Sequence, residues 1–195
     1  MTNAFARALS IVGHPMLVLP LAVLMLTRTR DGGGGGETLR VGLGFGLFAA
    51  VVMGYSWWQV RRGHWGHVDA SAKHERGSLN RFLLIALAAG TLLAVVAQQR
   101  ELALSLGLSA GLTAIAMLTS RWCKLSLHMA FAVFAVVLLS RLGWEFGAAG
   151  TLFVVALAWS RLALQRHTPG DLLAGTAAGV LAGMVFWLMA AQGGG

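Results

Sequence analysis

The apolar residues of this chain gather in long runs, broken by short polar stretches. The runs cover residues 8–27, 41–58, 82–97, 102–119, 125–140, 147–160 and 172–191. The longest reach the ~18 residues that mark a bilayer span. The pattern predicts an all-α fold: a polytopic membrane helix bundle of six to seven transmembrane helices, in a single domain over residues 1–195. The count turns on Arg141–Glu145 (RLGWE), the one polar break between the fifth and sixth runs. Without a turn there, the two make one long helix. Asp31–Gly36 (DGGGGG) reads as a flexible loop between the first two spans.

Composition strengthens that reading. The chain is 57% hydrophobic and 11% charged, with a mean hydropathy of +0.72. Soluble domains carry about 25% charged residues, so a water-soluble globule is excluded. The single cysteine, Cys123, can form no internal disulfide and gives no compartment. The first run is followed by Arg28-Thr29-Arg30 instead of a small-residue cleavage site, so it reads as a retained anchor.

Charge adds a sidedness. The net charge of +8 sits in the connections between apolar runs, which points to anionic lipid head groups or a phosphorylated substrate and not to nucleic acid. With seven spans, the N-terminus and the 59–81, 120–126 and 161–171 loops share one face. That face carries ten of the Lys and Arg residues and three of the acids; the other carries five and four. His64, His67, His74, His128 and His167 also fall on or beside the basic face. Setting aside Lys73, Arg76, Lys124, Arg161 and Arg166 leaves the basic residues evenly divided, and the positive-inside rule then gives no orientation.

Other signals are structural. Pro15 and Pro20 are expected to kink the first span, and His14 reads as a locally satisfied polar group. Trp57, Trp58, Trp65, Trp122, Trp144 and Trp159 lie near span ends, as an interfacial aromatic belt requires. Gly107 with Gly111, and Gly175 with Gly179 and Gly183, set small residues on one helix face for close packing. The GLGFG run at Gly42–Gly46 lies inside an apolar helix, so it reads as packing and not as a nucleotide loop.

Three polar clusters fall on the basic face. In the first, Ser160 and Arg161 leave one span, His167 precedes the next, and Asp171 follows four residues later. Thr168-Pro169-Gly170-Asp171 predicts a helix start, with Thr as N-cap and the acid as its capping-box partner. The same arrangement sets His167 beside a helix N-terminus, a natural anion site, with an acid able to hold one ring nitrogen. The second cluster is Lys124-Leu125-Ser126-Leu127-His128 at the mouth of the fifth span. The third runs from His67 to Arg81 and includes Asp69, Lys73, His74, Glu75, Arg76 and Asn80. Neighbouring lysine and arginine can neutralise a phosphoryl group.

Together the clusters resemble the type 2 phosphatidic acid phosphatase superfamily, membrane lipid phosphate phosphatases related to vanadium haloperoxidases. Its third motif, S-R-x5-H-x3-D, is matched by Ser160, Arg161, His167 and Asp171 at every fixed position. Its second, P-S-G-H, keeps Ser126 and His128, with Leu125 for Pro and Leu127 for Gly. Its first, K-x6-R-P, departs most. From Lys73 the count reaches Asn80, with Arg81 one place late, whereas Lys73 and Arg76 fit the shorter K-x-x-R form. The resemblance spans roughly residues 67–171. It also requires the fifth and sixth runs to be separate helices, because one long helix would part His128 from His167.

The resemblance implies an integral membrane phosphatase acting on a lipid or isoprenoid phosphate through a phosphohistidine, without metal or other cofactor. His167 would be the nucleophile, Asp171 its orienting acid and His128 the general acid and base. Lys73, Arg76, Ser126, Arg161 and Lys124 would hold the phosphoryl oxygens. It further implies a multi-pass protein of the bacterial cytoplasmic membrane, with membrane lipids as neighbours. Two other readings stand beside it. His64, His67, Asp69 and His74 could bind zinc in a metal-dependent membrane hydrolase. The reduced first and second motifs would also suit a catalytically decayed scaffold or transporter.

Overall fold

Apolar runs bounded by turn-forming residues give helices, and in the computed structural model they account for most of the described residues. It describes residues 2–30, 35–66 and 73–191. No strand occurs among the described residues. In order the helices are α1 (Thr2–Val12), α2 (Pro15–Arg30), α3 (Gly36–Arg61), α4 (Lys73–Val96), α5 (Arg100–Thr119), α6 (Leu127–Leu139), α7 (Trp144–Ala163) and α8 (Pro169–Ala191). The fold is an all-α bundle. Of the DGGGGG run, residues 31–34 lie outside the described residues, and Gly36 opens α3.

Five of these helices are long and apolar enough to cross a bilayer, and a sixth span results if the bent pair α1 and α2 counts as one. The protein is a multi-pass membrane protein. Its outward side chains fit that solvent: Leu43, Leu47, Ile85, Leu92, Leu118, Leu152 and Leu181 are all exposed. In water they would form an aggregating surface; in lipid they are the solvated one. Polar groups turn inward instead. Ser105, Ser109 and Thr113 are buried along α5. The Ser109 hydroxyl donates to the Ser105 carbonyl at 2.6 Å, and that of Thr113 to the Ser109 carbonyl at 2.9 Å.

At the centre stands α6, which packs against α2, α5, α7 and α8. Every residue from Met129 to Ala135 is buried. The expected fifth span is thereby revised: α6 has 13 residues, a length of about 20 Å against the ~30 Å of a bilayer core. It is a helix enclosed by its neighbours. The break after it is real, since Gly143, at φ +154°, separates α6 from α7 in a conformation that side chains rarely adopt. The fifth and sixth runs are two helices.

The first span needs a larger correction. Residues 8–27 do not form one kinked helix. The chain breaks at Gly13–His14, α1 and α2 meet at 48°, and Pro15 opens α2 while Pro20 is accommodated within it. Proline fits a helix start because its missing N–H is not needed there. α1 leaves the line of α2 and packs on the end of α7, with Phe5 against Trp159 at 6.1 Å between ring centroids.

The glycines divide. Side chains at Gly175, Gly179 or Gly183 would run into Ser126, Ala130 and Val137 of the α6 region, so this stripe is what lets α8 lie against α6. Gly107 approaches Thr91 of α4, but Gly111 faces open space. Within GLGFG, Gly42 meets Leu24 while Gly44 and Gly46 touch nothing, so packing explains only the first. Of the tryptophans expected in an interfacial belt, Trp57, Trp58, Trp122, Trp144 and Trp159 are exposed, whereas Trp65 is buried, edge-on to Tyr55.

Up-and-down alternation gives the bundle two ends. At one, Arg141 pairs with Glu101 at 3.5 Å and Arg100 donates to the Met189 carbonyl at 2.7 Å. At the other, α2, α4, α6 and α8 begin and α3, α5 and α7 finish.

Candidate active site

The polar residues of the second end are placed by helix termini. α8 starts as its sequence predicts. The Thr168 N–H donates to Asp171 Oδ2 at 2.9 Å and the Asp171 N–H to Thr168 Oγ1 at 3.3 Å, a reciprocal capping box. The same carboxylate oxygen stands 3.6 Å from His167 Nδ1. That is too long for a hydrogen bond, and Nδ1 is buried with no hydrogen-bond partner. Nδ1 thus faces the acid, which leaves Nε2 as the nitrogen available for chemistry.

Electrostatics keeps that ring neutral. Burial, then the positive charges of Arg161 and Lys124, push the His167 pKa down to about 4, against a smaller upward pull from Asp171. At neutral pH the imidazole therefore offers a lone pair.

The 120–126 connection is tied to this helix start. The Ser126 N–H donates to the Asp171 carbonyl at 3.2 Å, and Lys124 Nζ donates to the Arg166 carbonyl at 3.3 Å. Gly175 makes the approach possible, since a Cβ there would sit 2.6 Å from the Ser126 carbonyl oxygen. Ser126 itself is fully buried and its hydroxyl has no partner. His128, in the first turn of α6, lies within electrostatic reach of Arg161, His14, His167 and Arg166.

Arg161 enters from the last turn of α7, almost fully buried. One of its terminal nitrogens donates to Ser10 Oγ at 2.6 Å, whereas its Nε has no partner. The neighbouring Ser160 hydroxyl donates to the Ala6 carbonyl, also at 2.6 Å. Both anchors belong to α1, so the helix that left the first span braces the arginine.

Three of the five buried polar atoms without partners among the described residues are therefore at this end: Ser126 Oγ, Arg161 Nε and His167 Nδ1. Each orphaned group costs about 1–3 kcal/mol. Of these, the Ser126 hydroxyl and Arg161 Nε, beside a neutral histidine and buried positive charge, suit an anion with several acceptor oxygens. Elsewhere, an apolar groove is lined by Pro15, Met16 and Leu19 of α2, Phe45 and Phe48 of α3, and Phe131 of α6.

The remaining cluster is only partly described. Lys73 and Arg76 stand in the first turn of α4, but their side chains lie outside the described residues, as do residues 67–72 and the side chain of His74. Arg81, the late arginine of the first motif, donates to the Gly77 carbonyl of its own helix at 3.3 Å. His64 pairs through Nδ1 with Gln59 Oε1 at 3.0 Å. Of the proposed zinc set, His67 and Asp69 fall outside the description; among the described residues no three His, Cys, Asp or Glu gather as a metal site.

Sequence reasoning missed α1's part. Ser10 and the Ala6 carbonyl bind the end of α7, and the His14 ring meets that of His128 with centroids 5.3 Å apart. The signal available was Gly13-His14-Pro15, a helix stop and start inside an apolar run. Compared with protein-family models, curated proteins and solved structures, the chain matches none.

Proposed function

We propose that the protein is a membrane phosphatase that removes a phosphoryl group from a lipid or isoprenoid phosphate by way of a phosphohistidine. The observation that carries this reading is the convergence of a neutral His167, backed by Asp171, with His128, Arg161 and the orphaned Ser126 hydroxyl at one end of the bundle. The resemblance of Ser160, Arg161, His167 and Asp171 to the third motif of the type 2 phosphatidic acid phosphatases supports it. It also implies the bacterial cytoplasmic membrane as the location.

In the first step, His167 Nε2 attacks phosphorus and a P–N bond forms as the P–O bond to the lipid breaks. His128 gives its proton to the departing alkoxide. In the second, His128 takes a proton from water, whose oxygen attacks phosphorus and releases phosphate and free His167. Arg161, Ser126 and Lys124, joined by Lys73 and Arg76 of α4, neutralise the phosphoryl oxygens as charge develops. The dianion in turn offsets the positive charge around His128, which favours its protonated form. The apolar groove among α2, α3 and α6, lined by Leu19 and three phenylalanines, suits an apolar tail.

Trapping the intermediate tests this directly. Brief exposure to a phosphate-labelled lipid substrate, then quenching in alkali, leaves acid-labile label on the protein if the reading holds. His167→Ala leaves none. Equal labelling of both proteins, or label that survives acid, contradicts it.

A further inference from the structure

His14 is the histidine that no motif claims. It occupies the break between α1 and α2, and its ring meets that of His128 edge to face, at 88° and 5.3 Å between centroids. Its orientation is fixed from behind. The Met16 backbone N–H donates to Nδ1 at 3.2 Å, while the His14 carbonyl accepts from Leu17 and Val18 at 2.8 and 3.1 Å. A nitrogen that accepts carries no proton, so the neutral ring holds its hydrogen on Nε2. The break is held in turn against α7, since a Cβ on Gly13 would lie 2.5 Å from a Leu157 methyl. α7 also carries Arg161, which α1 grips through Ser10.

We propose that His14 is a positioning residue: it holds the His128 imidazole in the plane from which that ring serves the substrate oxygen. This role rests on the phosphatase reading above. Its physical basis is that a reacting group misplaced by ~1 Å loses about 100-fold in rate, and the first turn of α6 gives the His128 ring no other aromatic neighbour among the described residues. The competing role is a helix cap alone, with Nδ1 completing the first turn of α2.

Two substitutions separate the roles. His14→Asn keeps an acceptor for the Met16 N–H but removes the ring. His14→Phe keeps a ring against His128 but loses the acceptor. Phosphate release and thermal unfolding are measured for both in detergent, beside wild type. Positioning predicts that Asn leaves Tm and KM nearly unchanged but lowers kcat by about tenfold or more, whereas Phe restores most of kcat at a lower Tm. Full kcat in the Asn variant overturns the proposal, and so does loss of kcat in both folded variants, which would mean that Nε2 touches substrate. A wild-type protein without turnover overturns the phosphatase reading itself and this role with it.

Discussion

His167 is held in its reactive state by opposing charges. Burial and two cations push its pKa to about 4, and Asp171 pulls the other way. A nucleophile must be unprotonated, so activity falls when pH drops through the pKa of the free enzyme. The acid limb of kcat/KM should lie near pH 4, well below the ~6.5 of an ordinary histidine. Lys124→Gln removes one depressing charge and should move that limb upward; Asp171→Asn removes the raising charge and should move it down. A limb that stays in place in both variants would contradict this balance. Arg161 depends on Ser10, and hydrogen bonds to charged groups contribute about 1.5–3 kcal/mol. Ser10→Ala should therefore raise KM by about tenfold or more, with a small change in Tm. The His167–Asp171 pair was legible because both residues share one helix start, where sequence spacing fixes geometry. The Ser10–Arg161 bond joins positions 151 residues apart, and no local pattern announces it.

Helix pairing is carried by small residues. A methyl at Gly179 would overlap the Ala130 carbonyl of α6, whereas Gly44 on α3 faces open space. Gly179→Ala should thus cost about 1–3 kcal/mol by overpacking, while Gly44→Ala should be neutral or stabilising by up to ~1 kcal/mol. Thermal unfolding in detergent distinguishes the two, and equal midpoints would contradict the α6–α8 contact. The stripe at Gly175, Gly179 and Gly183 was readable because its four-residue period is itself a helix face. The division of the first apolar run was not. Hydropathy does not distinguish a span from a helix that turns aside and packs with its small and polar face, Ala6, Ser10 and Gly13, inward. The shortness of α6 escaped for a similar reason: residues 125–140 read as one apolar run, and hydropathy does not tell a short helix enclosed by its neighbours from one that meets lipid.

For the whole molecule, alternation of the helices sets the candidate site at one end and the Arg141–Glu101 pair at the other. In a Cys123→Ser background, Arg121→Cys and Ala97→Cys place exposed thiols at the two ends. A membrane-impermeant maleimide should label them from opposite sides of sealed vesicles; labelling of both from one side would contradict the topology. The all-α class and the shared face of the 120–126 and 161–171 loops were legible, because apolar runs fix where the chain crosses and hence which loops meet. The contribution of α1 was not, because it depends on a break that reverses nothing in the hydropathy. Phosphoryl transfer at that shared end is what the arrangement of charge and histidines is proposed to serve. Its most direct test is phosphate release by the purified protein in excess EDTA across lipid and isoprenoid phosphates, with His167→Ala alongside. A phosphohistidine mechanism gives release from at least one substrate that disappears in the variant; no release from any, or equal release from both proteins, would contradict it.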